Sequence, residues 1–96
     1  MLTANGWNVM QYAVLLHMMA QVSGLEAGEL IHVIADAHIY DRHVPIVEEL
    51  IARTPYDAPA FWMDRSVTDF YAFTRDSFRL EGYQAHLLEA KIPVAV

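Results

Sequence analysis

At 96 residues, 55% hydrophobic and with a mean hydropathy of +0.21, the chain has the size of one domain and too much apolar material for intrinsic disorder. Twelve acidic residues against six basic ones give a net charge of −6, which argues against a nucleic-acid groove or an anionic membrane surface as partner. Cysteine is absent from the chain, so disulfides, thiolate metal sites and a cysteine nucleophile are excluded within it.

A domain this small buries only about two-thirds of its unfolded surface, so the apolar excess predicts an oligomer or a piece of something larger. The charges are also uneven: the first basic residue is Arg42. No basic residue precedes the first apolar stretch, which therefore does not read as a secretory or mitochondrial signal. From Val9 to Val22 only Gln11, His17 and Gln21 are polar. That run falls short of the roughly 20 apolar residues a bilayer requires. The expectation is a cytoplasmic protein.

Trp7 to Val22 is rich in Met, Leu, Ala and Gln and contains neither Pro nor Gly, which predicts a helix. At about 100° per residue its few polar positions fall on opposite sides, leaving no solvent face, so the helix is expected to be buried all round. Ser23-Gly24 ends it, with Gly24 suited to a left-handed cap. Glu29 to Tyr40 alternates with period two and predicts a strand. Ile31, Val33, Ala35, Ala37 and Ile39 form its apolar face, while Asp36, His38 and Tyr40 project in a row from the other.

Pro45 suits the first turn of a second helix running to about Arg53, with an apolar stripe of Val44, Val47, Leu50 and Ile51. Thr54 to Pro59 is a loop, and Phe61-Trp62-Met63 a short strand. Val67 to Phe73 reads as a helical turn closing on aromatics or as irregular chain. Ser77 to Tyr83 reads as a strand, with Gly82 permitting a bend. The apolar terminus Ile92-Pro93-Val94-Ala95-Val96 is expected to dock.

Among possible chemistries, Asp36, His38 and His43, with His32 nearby, make a nitrogen–oxygen set of the kind that binds zinc or ferrous iron, although structural roles are the commoner use of such residues. No serine sits in a nucleophile elbow and no glycine-rich phosphate loop is present. Asn8, a carboxamide at the start of an apolar helix, needs hydrogen-bonding partners. Backbone bonding is the ordinary solution and ligand recognition the alternative. His17 and the Met10, Met18 and Met19 group read as packing residues.

Four blocks in order, WNVMQYAVLLHMMAQ (7–21), DAHIYDRH (36–43), DFYAFTRDSFRLEGY (69–83) and PVAV (93–96), resemble the C-terminal part of thymidylate synthase. The resemblance covers essentially the whole chain. It implies an α+β fold with a long buried helix packed on a mixed β-sheet, and residues 1–96 forming the C-terminal segment of a single synthase domain. It further implies methylation of dUMP to dTMP with methylenetetrahydrofolate as co-substrate, in a homodimer. Asn8 would then read the pyrimidine edge, since one carboxamide offers both a donor and an acceptor to uracil. His38 and Tyr40 would hold the ribose hydroxyl, and Ala95 and its neighbours would contact the folate. The family's cysteine, phosphate-binding arginines and Arg-Ser-x-Asp segment precede the point matched by Met1. The chain thus resembles a fragment or truncated reading frame, expected to be inactive alone and to pair with the missing N-terminal part. The open alternatives are a non-catalytic split-gene partner or interaction module, and a small metal-binding protein using Asp36, His38 and His43. Tyr83 to Leu88 departs from the family in lacking prolines around His86.

Overall fold

A computed structural model of the chain describes residues 2–89 and 91–93. The first helix, α1, spans Asn5–Ser23, matching the run of helix formers. Its end is set by Gly24, whose φ of 73° lies in the left-handed region. Gly24 N donates to Gln21 O and Leu25 N to Ala20 O at 2.9 Å, the paired bonds of a Schellman cap.

The expectation that α1 is buried all round is overturned. None of its described residues is buried, and Trp7 is 83% exposed with Tyr12 and Met19 about half exposed. The helix is apolar on every side, yet the remaining elements cover only one part of it. His17 packs against Phe61, their ring centroids 5.4 Å apart. Gln21 Nε2 donates to Asp64 O and Val67 O, both at 2.8 Å.

The strand expected over Glu29–Tyr40 is a second correction. This stretch has no regular secondary structure, bends at Ala35–Asp36 and joins no ladder among the described residues. Period-two alternation selects extended backbone, whereas a strand also needs neighbours to take its N–H and C=O groups. Ile31 and Val33, on the face expected to be apolar and packed, are both largely exposed.

A 3-10 turn over Asp41–His43 leads into helix α2, Val44–Ile51, with Pro45 in its first turn. Ile46 is its buried residue, Val47 and Leu50 are half-buried, and Ile51 faces solvent. The expected stripe is therefore rotated toward Ile46. The sheet consists of β1, Ala60–Met63, and β2, Phe78–Glu81, antiparallel rather than mixed, with Phe61 opposite Leu80 and Met63 opposite Phe78. Arg79 lays its guanidinium 4.8 Å from the ring centre of Trp62, its cross-strand partner. Gly82 bends the chain after β2 at a φ of 73°.

Between the strands, 3-10 turns at Phe70–Ala72 and Arg75–Ser77 gather an aromatic chain of Phe70, Phe73, Phe78 and Phe61. The aromatic turn expected near Val67–Phe73 is thus present, held open by the Asp69 carboxylate accepting from Tyr71 N. Near the C-terminus, the segment without prolines is fixed by other means. His86 stacks on Tyr56 at 4.4 Å and donates from Nε2 to Thr54 O at 3.1 Å, while Arg53 donates to Leu87 O.

Candidate functional site

The start of α1 and the segment 29–40 face each other across a groove lined by Asn5, Asn8, His32, Ile34 and Asp36. Asn8 is exposed to it, and its backbone N–H is already satisfied by Ala4 O at 3.0 Å. One turn earlier, Asn5 Oδ1 accepts from His32 Nε2 at 3.2 Å, which ties the helix start to that segment. This bond orders the groove wall beside Asn8.

Asp36 continues the groove into the second candidate cluster. His38 Nδ1 lies 3.1 Å from Asp36 O and 3.4 Å from an Asp36 carboxylate oxygen. Both partners are acceptors, so Nδ1 carries the hydrogen of this contact. The His38 ring meets Tyr40 edge-on, with centroids 5.1 Å apart. Tyr40 in turn meets His43 edge-on at 5.5 Å. Asn8 and Asp36 thus line one groove, and Asp36, His38 and Tyr40 follow one another in contact beyond it.

His43 turns its Nε2 to Pro93 O at 2.7 Å and carries the proton there to make that bond, which leaves Nε2 unavailable to a metal. Among the described residues no group of three His, Cys, Asp or Glu side chains converges on a common point. The described residues therefore do not bring Asp36, His38 and His43 together as a metal centre, and the His43 ring is bonded to Pro93 instead. Ala95 lies outside the described residues.

One carboxylate elsewhere is electrostatically set. The hydroxyl and then the backbone N–H of Ser66 both donate to Asp64, at 2.7 and 2.9 Å, and hold its carboxyl below the usual range. Asp64 is half-buried and does not line the groove beside Asn8. No described helix is long and apolar enough to cross a membrane.

The arrangement is that of a known α+β enzyme fold. The structure superimposes on thermostable thymidylate synthase A from Bacillus subtilis with a TM-score of 0.90 and 42% identity, over 98% of this chain and 34% of that one. A family model described as thymidylate synthase matches residues 1–96, and the chain belongs to the thymidylate synthase family. Thymidylate synthase of Bacillus atrophaeus is 44% identical over 88% of this chain and 37% of its own length. Thymidylate synthase 1 of Bacillus amyloliquefaciens is 44% identical, with 88% and 36% covered. That of Bacillus subtilis strain 168 is also 44% identical, with 88% and 30% covered. The chain therefore spans about a third of the length of the curated relatives it matches.

What sequence reasoning missed is the use of His43 and of the Asn5–His32 bond. A signal for the first was present in the spacing: His43 follows Tyr40 by three residues, one turn of a 3-10 helix. The second joins residues 27 apart and left no local mark.

Proposed function

We propose that this chain supplies the pyrimidine, ribose and folate contacts of a thymidylate synthase. In the complete assembly dUMP is methylated to dTMP, with methylenetetrahydrofolate giving both the carbon and the reducing hydride. The observation that carries the reading is the groove shared by Asn8 and Asp36 together with the Asp36–His38–Tyr40 cluster beside it. Asn8 pairs its carboxamide with the uracil O4 and N3–H, a pattern that cytosine inverts. His38 takes a ribose hydroxyl, with its ring oriented by the contact of Nδ1 with Asp36. Tyr40 fixes the His38 ring and offers its phenol to the same sugar. The folate contact at Ala95 rests on the terminal PVAV match alone. Addition of a thiolate to the pyrimidine requires a cysteine that this chain does not contain, so methylation is a property of the assembly and the chain by itself turns over no dUMP.

The exposure of α1 supports the companion part of the reading, and equally its use as a non-catalytic partner in a split synthase. A helix apolar on all sides with no buried residue is a surface that association covers. Its occupant in this reading is the other two-thirds of the synthase fold, in a cytoplasmic homodimer. Titration of the chain with dUMP and with dCMP, followed by amide shifts, tests the nucleotide site. Asn8, His32 and Tyr40 resonances move with dUMP, dCMP binds at least about tenfold more weakly, and Asn8→Ala erases the difference. Equal binding of both nucleotides would sink the assignment of Asn8. Turnover by the isolated chain would overturn its assignment as inactive alone.

A further inference from the structure

Among the described residues, His43 is the buried histidine, at 6% exposure, and the methylation chemistry gives it no task. Its contacts run in two directions. Toward the Asp36–His38–Tyr40 cluster, its backbone N–H donates to Tyr40 O at 2.8 Å and its ring stands at 87° to the Tyr40 ring, with centroids 5.5 Å apart. Toward the C-terminus, its Nε2 donates to Pro93 O at 2.7 Å, across fifty residues of sequence. Ile92 and Pro93 are half-buried where most of residues 81–89 are exposed. Ile92 and Pro93 are therefore seated at this contact.

We propose that His43 is a positioning residue that couples the orientation of Tyr40 to the seating of Ile92 and Pro93. The coupling acts on nucleotide binding through Tyr40, and in that respect it rests on the ribose role proposed above. The geometry leaves the imidazole little freedom. One edge is committed to a proline carbonyl, and the ring cannot turn without breaking either that bond or the edge-on contact with Tyr40. Proline supplies an acceptor there while having no N–H of its own to satisfy. A displaced terminal segment releases the His43 ring, and a released ring no longer confines Tyr40. The same linkage works in reverse: a ligand that fixes Tyr40 favours the seated terminus.

Two substitutions separate the halves of the device. His43→Phe keeps a ring for Tyr40 and loses the donor to Pro93, whereas His43→Gln keeps a donor and loses the ring. Each is compared in the full chain and in a version ending at Ile92. In the wild type, removal of residues 93–96 is expected to shift the Tyr40 ring resonances, and long-range nitrogen correlations should show the proton of His43 on Nε2. His43→Phe is expected to abolish the response of Tyr40 to truncation and to speed carboxypeptidase release of the terminus about five- to tenfold. His43→Gln is expected to keep the terminus protected while Tyr40 again ignores truncation. A Tyr40 ring that still answers truncation in either variant overturns the proposal, as does a wild-type proton on Nδ1. If His43→Phe loses its folded amide dispersion, His43→Gln decides alone. With dUMP present, truncation and His43→Phe should weaken binding non-additively. Intact coupling without any dUMP binding would refute the nucleotide reading and leave the His43 coupling standing.

Discussion

Gln21 is the polar tie between the C-terminal half of α1 and the loop after β1, and its replacement has a calculable consequence. Its Nε2 donates to two backbone carbonyls, Asp64 O and Val67 O, each at 2.8 Å and part-buried. A neutral hydrogen bond contributes about 0.5–1.5 kcal/mol net, so the pair is worth about 1–3 kcal/mol. The Oε1 atom of the same side chain is buried with no partner among the described residues, which offsets part of this and places the expected loss for Gln21→Met near 1–2 kcal/mol. Methionine keeps the length and removes both donors, so packing is held nearly constant. At roughly 4–8 °C per kcal/mol for a domain of this size, thermal unfolding followed by circular dichroism should show a fall of about 5–15 °C. Gln21→Glu should be worse at neutral pH, since a carboxylate would face two carbonyl oxygens, and should recover as it is protonated in acid. A Gln21→Met chain melting within about 2 °C of the wild type would refute the claim that this tie holds α1 in place.

Other expectations follow from single features. Gly24 has φ at 73° but open space where a Cβ would stand, so Gly24→Ala meets no clash and loses about 1 kcal/mol from backbone strain alone. Gly24→Asn should lose less, by chemical denaturation. Asp64 is held below its usual range by Ser66, so the folded state favours the ionised form. That contribution is present above the unfolded-state pKa and fades as pH falls through the folded one. Ser66→Ala should raise the Asp64 pKa in a carbon-detected titration, and an unchanged value would show that the Ser66 hydroxyl is not the cause. Trp7 emission should shift to the blue when the chain associates with the complementary part of a synthase, and an unshifted spectrum in a formed complex would place Trp7 outside the contact.

The legible features were those set within a few residues. Helix formers from Trp7 to Val22 and a glycine at 24 specify α1 and its end, because both depend on local backbone entropy and capping. The two short strands and the bend at Gly82 were legible for the same reason. Asn8, His38 and Tyr40 came from a match of ordered blocks to a family, and the spacing of His38 and Tyr40 along extended backbone made their contact foreseeable.

Sequence by itself therefore determined the local conformations, the α+β class and the family to which the chain belongs. It set an apolar excess whose destination it did not specify: α1 has no buried residue, and the alternating segment 29–40 finds no ladder partner among the described residues. Only the tertiary structure decided that Ile46 rather than Ile51 turns inward on α2 and that Gln21 ties α1 to the loop after β1. It also decided that His43 reaches Pro93. Burial and long-range hydrogen bonds depend on what lies opposite in space, and for His43 that partner stands fifty residues away.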